Sequence, residues 1–358
     1  MQQVAAATPY TPSPLTGRRR LGPAPPIDIF QKTSSTASLG EMAKQKPAPD
    51  PPRRINSDSV TKDSKIKFRA EDLVTDIVLG AGSGGVVCKV MHVPTQTFMA
   101  RKTIKMGVLD TCEQEKLEKQ ILRELRILRL CRSPRVVTFH GAFLHDGDIS
   151  IMMEYMDLGT LERIYRKIGV LPEQIIGLVT LQILEGLIYL YDNHKIVHRD
   201  IKPSNILVNS VGLVKIADFG VSKELANGTL AATFTGTQGY LAPERVREGT
   251  SCTPSSDVWS LGLTVMELAL GGFPIPAEAL PSIFDLLQYI EQEPSPTLPA
   301  GKFSPEFCEF TSLCLIKDAR QRPHPKQLMD TAFLRQAAAA DQGLLEQWTK
   351  SLMPLLQQ

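Results

Sequence analysis

The distribution of apolar and polar positions divides the chain into three stretches. Residues 1–68 hold ten of the 26 prolines, many Ser, Thr and Lys residues and few aromatic ones. Such a segment cannot bury enough apolar surface to offset the entropy that it would lose on ordering. The pattern therefore predicts a disordered N-terminal tail at 1–68, followed by a globular region.

The second stretch begins at Leu73 and consists of short runs with β-sheet character. Two of these runs flank a cluster of glycines like the arms of a hairpin. One helical segment interrupts them, because Leu117, Ile121, Leu125 and Leu128 recur at helical spacing. Strands are predicted at 76–79, 85–90, 97–102, 136–143 and 149–153, and this helix is predicted at 113–130.

The third stretch, after Asp157, has a mainly helical pattern. Helices are predicted at 161–168, 172–193, 256–270, 283–291 and 306–315, with a further helical region after Thr331. The fold class is therefore predicted to be α+β. A β-rich N-terminal lobe with one helix would precede a mainly helical C-terminal lobe.

Composition narrows the class of protein. Forty Lys and Arg residues against 38 Asp and Glu give a formal charge of +2, which gives no reason to expect a nucleic-acid partner or a polybasic membrane protein. The six cysteines form no C-x-x-C pair, and no run of eighteen apolar residues or secretory signal is apparent. We expect a protein of the cytoplasm, with the nucleus as a second compartment and no membrane insertion.

Two short polar motifs, called islands below, lie within the third, mainly helical stretch. Residues 198–205 read His-Arg-Asp-Ile-Lys-Pro-Ser-Asn, and Asp-Phe-Gly at 218–220 begins thirteen residues after Asn205. Either island alone is compatible with ordinary loop chemistry. Together they supply three oxygen ligands or bases and one lysine around a point where a phosphoryl group could be transferred.

A glycine-rich segment lies upstream of these islands and fits the pattern GxGxxGxV. Alone it is compatible with a tight hairpin or with a dinucleotide-binding loop. A dinucleotide loop is followed by a helix, whereas here a strand follows and a lysine, Lys102, lies seventeen residues beyond the last glycine. The segment is therefore predicted to bind nucleotide phosphates, through Leu79, Gly80, Ala81, Gly82, Ser83, Gly84, Gly85, Val86 and Val87.

Together these motifs resemble those of eukaryotic protein kinases, and within them the MAP kinase kinases. The resemblance covers roughly residues 71 to 335, and 285–296 is similar to the fungal mating and filamentation branch. It implies the bilobal kinase fold, with a kinase domain at 69–335 and a C-terminal helical tail at 336–358. By analogy the residues after Arg322, to about 350, would dock an upstream kinase, with a capping helix of the large lobe as the alternative.

The resemblance also implies the ATP-binding residues. Lys102 would hold the phosphates while pairing with Glu124, with a solvated surface charge as the alternative. Lys105, the local competitor, is three residues further on and would face the other side of the sheet. Met153 would be the gatekeeper, with a buried core methionine as its alternative. Glu154 and Met156 would form the hinge beside the nucleotide.

The catalytic residues follow from the same likeness. Asp200 would accept the proton of the substrate hydroxyl, and Lys202 would neutralise charge on the transferring group. Asn205 and Asp218 would hold Mg²⁺, a cation that prefers oxygen ligands.

Further landmarks of the resemblance lie around these residues. Arg322 would pair with Glu244 of Ala-Pro-Glu, and the helix that starts near Asp257 would anchor the catalytic loop. Four residues would stack as a hydrophobic spine: Leu128, Phe139, His198 and Phe219.

Regulation and partners are likewise implied by the resemblance. Phosphates on Thr229 and Thr233 would pair with Arg199 and order the activation loop, although threonines are also common in exposed loops. An upstream MAP kinase kinase kinase would add them, and the substrate would be the Thr-x-Tyr loop of a MAP kinase. In the tail, Arg18–Arg20 and the apolar pair Ile27 and Ile29 match a MAP kinase docking motif, with a solvated charge run as the alternative.

Two other functions remain open on the sequence. One is a Ser/Thr kinase of the same superfamily with unrelated substrates. The other is a scaffold that binds the kinases of a cascade without catalysis, and a scaffold is also an expected partner of the leading candidate.

Overall fold

The computed structural model describes residues 68–82, 85–105, 125, 128–218, 239–246, 253–275, 282–341 and 343–356. Several predicted features lie outside these ranges. They are Ser83 and Gly84 of the glycine-rich loop, Glu124, Phe219, Thr229, Thr233 and the docking motif of the tail.

The N-terminal lobe is built on a five-stranded antiparallel sheet. Its strands are β1 (Leu73–Gly82), β2 (Gly85–His92), β3 (Thr97–Ile104), β4 (Phe139–His145) and β5 (Asp148–Glu154), in the order β1-β2-β3-β5-β4. Alternate residues of β2 face inward, so that Cys88 and Val90 pack against Phe143 and Met152. Leu125 and residues 128–130, in the predicted helix, are helical.

The C-terminal lobe is mainly helical. Its helices are α1 (Leu161–Ile168), α2 (Glu173–His194), α3 (Pro243–Val246), α4 (Pro254–Leu270), α5 (Ile283–Gln292), α6 (Pro305–Cys314), α7 (Pro325–Leu328), α8 (Ala332–Ala339) and α9 (Gly343–Leu356). The five predicted helices between 161 and 315 are present, each within two residues of its predicted bounds. The α+β class, with a sheet-based first lobe and a helical second lobe, is confirmed.

Helix α2 forms the centre of the larger lobe. Among the described residues it alone is long and apolar enough to span a membrane by composition, yet 61% of its most apolar window is buried inside the protein. A helix that is apolar on all sides is the expected core element of a large lobe. It packs against α4 and against α8, where the ring of Phe333 and the Cβ of Ala337 approach Gly177.

A second, three-stranded sheet lies next to the catalytic residues and was missed at the sequence level. It consists of β6 (Gly159–Thr160), β7 (Ile206–Val208) and β8 (Val214–Ile216). These strands are too short to give an alternating pattern. They also explain why the strand predicted at 136–143 begins only at Phe139: Val136 forms a bridge with Ile216, and the Val137 N–H donates to the Ile216 carbonyl over 2.9 Å.

The last helix packs back onto the large lobe. Leu345, Leu352 and Leu356 of α9 are buried. The Thr349 hydroxyl donates to the Ser210 carbonyl over 3.2 Å, and Arg163 of α1 donates to the Leu356 carbonyl over 2.6 Å. The inner face of α9 is thus part of the folded lobe.

Candidate active site

Lys102 and Asp218 meet between the two lobes. Lys102 lies on β3 and is 6% exposed, whereas Lys105, just beyond the end of the strand, is exposed. Asp218 lies two residues beyond the end of β8, and its backbone is left-handed, with a φ of 57°. The Lys102 Nζ lies 2.7 Å from Asp218 Oδ1, so strand and loop residues 116 positions apart form an ion pair.

The catalytic-loop residues surround the Asp200 carboxylate. Asn205 Nδ2 donates to Asp200 Oδ2 over 2.9 Å and to the Asp200 carbonyl over 2.8 Å. Lys202 Nζ lies 3.3 Å from the same Oδ2. Because both partners hold one carboxylate oxygen, the orientation of the Asp200 side chain is fixed before any substrate arrives.

His198 joins the two aspartate-bearing loops. Its Nδ1 accepts the Asp200 N–H over 3.2 Å, and its Nε2 donates to the Ala217 carbonyl over 2.9 Å. These partners define the Nε2–H tautomer, since a carbonyl can only accept. Ala217 precedes Asp218, so one buried imidazole links the backbones that carry Asp200 and Asp218.

Asp257 of α4 anchors the catalytic loop through the backbone of the loop. Its carboxylate accepts the N–H groups of His198 and Arg199, over 2.7 and 2.8 Å. Arg199 has a φ of 72°, a conformation that non-glycine residues adopt only at a cost. Burial raises the pKa of Asp257, and the two backbone hydrogen bonds oppose that rise. The expected anchoring role of this helix is confirmed by these contacts.

The Glu154 side chain, at the end of β5, is held by Lys215 and Thr138. Lys215 Nζ of β8 contacts both carboxylate oxygens at 2.7 Å, and Thr138 donates its N–H and its hydroxyl to Oε2 over 3.2 and 2.9 Å. Burial by itself would raise the pKa of Glu154, but the charge and hydrogen bonds of Lys215 outweigh it and lower the pKa. The Glu154 carboxylate is thus fully engaged by Lys215 and Thr138.

Apolar side chains line the space between the hinge and Asp218. Met156 is buried and packs with Val137 and Ala217, next to Met153 and Leu207. A small recess between the lobes has a mostly apolar lining, made by Lys102, Leu128, Val137, Phe139, Ile151, Met153, Ala217 and Asp218. An apolar lining of this kind is typical of sites that bury a small ligand.

The glycines of the β1–β2 hairpin have two different environments. Gly80 and Gly82 have no atoms within 4 Å of an added Cβ, which leaves room beside the backbone. Gly85 has a φ of 110°, and an added Cβ would lie 2.2 Å from the Thr103 carbonyl oxygen. Gly80 and Gly82 thus provide open space, whereas Gly85 is required by the packing of β2 on β3.

The end of the activation segment is tied to the large lobe by an ion pair. Arg322 Nη1 donates to Glu244 Oε1 over 2.8 Å, and the Arg322 side chain is fully buried. Burial tends to raise the pKa of Glu244, but its hydrogen bonds to Arg322 lower it below its usual range. The pairing expected from the sequence is confirmed.

The described oxygen donors fit a magnesium ion. Asn205 Nδ2 donates to Asp200, so its Oδ1 is the atom that could coordinate an ion, and the Asp218 side chain is 44% exposed. No three His, Cys, Asp or Glu side chains of the described residues group into a site that could hold a metal alone. Mg²⁺ commonly takes one or two protein oxygens and completes its shell with phosphate oxygens and water.

The structure therefore brings together Lys102, Asp200, Lys202, Asn205 and Asp218. Sequence reasoning missed Lys215 and Thr138, which brace the hinge. Lys215 stands between Val214 and Ile216, where alternation suggests a solvent-facing residue, yet it is 6% exposed. One signal could have revealed Lys215. Glu154 follows a run of buried strand residues, and a partly buried carboxylate needs a cation nearby.

Comparison with known proteins agrees with this arrangement. The family model of the protein kinase domain matches residues 73–334. The chain is 42% identical to the dual specificity mitogen-activated protein kinase kinase dSOR1 of Drosophila melanogaster, over 93% of this chain and 87% of the fly protein. It is 41% identical to the mitogen-activated protein kinase kinase MST7 of Pyricularia oryzae, over 90% of this chain and 81% of the fungal protein.

These two identities are nearly equal. A fungal protein is therefore among the relatives, and the identities do not distinguish the fungal branch from the animal one. A protein kinase domain uses ATP as its phosphoryl donor. From the match over most of its length, the chain belongs to the protein kinase family and, within it, to the dual-specificity MAP kinase kinases.

Proposed function

We propose that this chain transfers the γ-phosphoryl group of ATP to a threonine and a tyrosine in the activation loop of a MAP kinase. The observation that carries the proposal is the link through His198. It holds the base Asp200 and the Lys102–Asp218 pair in one site.

The nucleotide would lie between the lobes. The Lys102 ammonium would hold the α- and β-phosphates, and the open space beside Gly80 and Gly82 would allow their close approach. The adenine would pack against Met156 and Ala217, with hydrogen bonds to the backbone of the hinge.

Asp200 and Lys202 would act on the reacting atoms. The oxygen of the substrate hydroxyl attacks the γ-phosphorus, the bond to the β–γ bridging oxygen breaks, and ADP leaves with that electron pair. Asp200 orients the hydroxyl and takes its proton, while Lys202, already 3.3 Å from Asp200, neutralises charge on the transferred group.

Asn205 and Asp218 would hold magnesium through Asn205 Oδ1 and the Asp218 carboxylate. When bound, the ion supplies positive charge to the phosphate oxygens. This role rests on the donor set described above and on the family's use of ATP.

Activation would come from an upstream kinase that phosphorylates Thr229 and Thr233. Arg199 lies next to Asp200 in the catalytic loop and is the cation that would receive a phosphate. The docking motif in the tail and a scaffold would bring the MAP kinase to this site.

A direct test is to incubate the full chain, activated by an upstream kinase, with ATP and a catalytically dead MAP kinase. Mass spectrometry should locate phosphate on both Thr and Tyr of its Thr-x-Tyr motif. An Asp200→Asn variant should add none. Phosphate on unrelated residues would favour another Ser/Thr kinase.

Restoration of signalling by Lys102→Arg in cells would favour a scaffold without catalysis. Such a result would contradict the proposal, because Lys102 is required only for handling the nucleotide.

A further inference from the structure

A lysine of the small lobe reaches the connection between the two lobes. Lys89 lies on β2, and its side chain is 19% exposed. Its Nζ lies 2.7 Å from Asp76 Oδ2, 4.0 Å from the centroid of the Phe98 ring and 5.4 Å from the centroid of the Tyr155 ring. One ammonium group therefore contacts β1, β3 and the hinge.

The hinge residue Tyr155 is held from the small lobe, whereas its neighbour Glu154 is held from the large lobe. Glu154 pairs with Lys215 of β8 over 2.7 Å, and the ammonium of Lys89 lies over the Tyr155 ring. Burial raises the pKa of the Tyr155 phenol, and the nearby Lys89 charge only partly opposes that rise, so the ammonium faces a neutral ring. Two lysines from opposite lobes thus hold consecutive hinge residues.

The strand register places Lys89 on the face of the sheet that carries Lys102. Lys89 pairs with Ala100 of β3, and Ala100 pairs with Met153 of β5. Directly opposed residues of an antiparallel pair share one face, and Lys102 lies two residues beyond Ala100 on that same face. Because Lys102 and Met153 line the recess between the lobes, Lys89 lies on the face of the sheet that borders this recess.

An irregularity in β1 aims Asp76 at Lys89. Thr75 pairs with Val90 and Ile77 pairs with Lys89, so Asp76 is the extra residue of a β-bulge. A bulge re-aims the side chain at its position, and bulges are common next to active sites. The Asp76 side chain is 42% exposed, and an ion pair of this exposure contributes little to stability. The pair therefore orients the ammonium more than it stabilises the sheet.

We propose that Lys89 is a positioning residue for the nucleotide and acts through Tyr155. By holding the Tyr155 ring against β2 and β3, it fixes the distance between the hinge and the sheet, where the adenine would lie. The acceptor hydroxyl would approach at Asp200, which belongs to the large lobe, and does not depend on this contact. The inference deepens the proposed function, on which it rests for the place of ATP between the lobes.

The test measures ATP binding by titration calorimetry, and KM for ATP in transfer to a MAP kinase, on the activated full chain. Lys89→Met keeps most of the side-chain length and removes the charge. It should raise Kd and KM for ATP by about fivefold, in line with the strength of a partly exposed cation–π contact. The kcat value and KM for the MAP kinase should stay within about twofold.

Tyr155→Leu is the second variant, because it removes the ring and leaves Lys89 in place. It should weaken ATP binding at least as much as Lys89→Met. Adding Lys89→Met to Tyr155→Leu should weaken binding no further, since the contact between the two residues is already lost.

Conservative variants and controls separate this role from the stability of the lobe. Lys89→Arg and Tyr155→Phe keep a cation and a ring, so each should bind ATP within about twofold of the wild type. Asp76→Asn removes the ion pair and keeps both ring contacts, so it should change ATP affinity by less than about twofold. Lys195→Met is the matched control in the large lobe, since the Lys195 ammonium lies over the Tyr191 ring at 5.0 Å, and it should leave ATP affinity unchanged.

An unchanged affinity for ATP in Lys89→Met would overturn the inference. So would an equal loss in Asp76→Asn or Lys195→Met, additive losses in the double variant, or a parallel rise in KM for the MAP kinase. If the wild-type chain binds ATP but leaves the MAP kinase unmodified, the proposed function fails, and calorimetry of the same variants still decides the role of Lys89. A wild-type chain that binds no ATP would reject both.

Discussion

The Lys102 ammonium lies 2.7 Å from the Asp218 carboxylate, and both groups border the recess between the lobes. Sequence motifs predicted a role for each residue, and the structure brings the two side chains to one position. In the proposed function, the phosphates would therefore meet Lys102 next to the Asp218 carboxylate.

We expect Lys102→Met to lower kcat by a factor on the order of 10²–10³, the usual loss when one preorganised charge at a reacting group is removed. Folding should be retained, because Asp218 is 44% exposed and can be solvated. Phosphate transfer to a MAP kinase, with circular dichroism as a check on folding, measures both. Lys105→Met is the matched control, since Lys105 is exposed at the end of the same strand, and an equal loss in that variant would contradict the assignment.

Sequence reasoning reached the catalytic residues because they lie in contiguous motifs with fixed chemistry. Residues 198–205 are neighbours in the chain, so their contacts around Asp200 follow from one loop. The long helices were predicted for a related reason. The 22 residues of α2 form a long apolar segment, so a few polar positions do not change the prediction of a helix.

What sequence reasoning missed depends on long-range pairing. The bonds from Lys215 to Glu154 join residues 61 positions apart, and the hydrogen bond from Tyr165 to Glu267 joins residues 102 positions apart. A local sequence pattern cannot identify a hydrogen-bond partner that lies so far away in the chain. The three-residue strands β7 and β8 also depend on their neighbours rather than on their own propensity.

The glycine-rich hairpin offers a prediction that separates folding from binding. Gly85→Ala should destabilise the chain by about 1–3 kcal/mol, because a left-handed residue there would also meet the Thr103 carbonyl at 2.2 Å. Gly80→Ala should leave the free energy of unfolding nearly unchanged, since nothing lies within 4 Å of its added Cβ, and should instead raise KM for ATP. Urea unfolding and ATP titration of both variants check this, and the reverse ranking in stability would refute it.

The proposed switch makes a separate prediction. Replacement of both Thr229 and Thr233 by alanine should abolish activation by the upstream kinase while leaving the basal activity, because no phosphate is then available to pair with Arg199. Activity before and after treatment with the upstream kinase measures the effect. Thr253→Ala, at a threonine outside the activation loop, is the control, and full activation of the double variant would reject both sites.

The hinge ion pair predicts a dependence of stability on pH. The pKa of Glu154 is lowered below its ordinary value of 4.5, so the folded state favours the charged form. Its stabilising contribution is therefore fully present above that ordinary value and is lost as the pH falls through the lowered pKa. Glu154→Gln should cost about 2 kcal/mol near pH 7, the usual value for a hydrogen bond to a charged group.

Urea unfolding of the wild type and Glu154→Gln between pH 7 and 4 should show a constant difference down to about pH 5, shrinking below it. Lys215→Met should remove most of the pH-dependent difference, because Lys215 lowers the pKa of Glu154. A double-mutant cycle of the two substitutions isolates the pair from the Thr138 bonds, which remain in Lys215→Met. A difference that stays constant down to pH 4, or a coupling energy near zero, would mean that this pair does not brace the hinge.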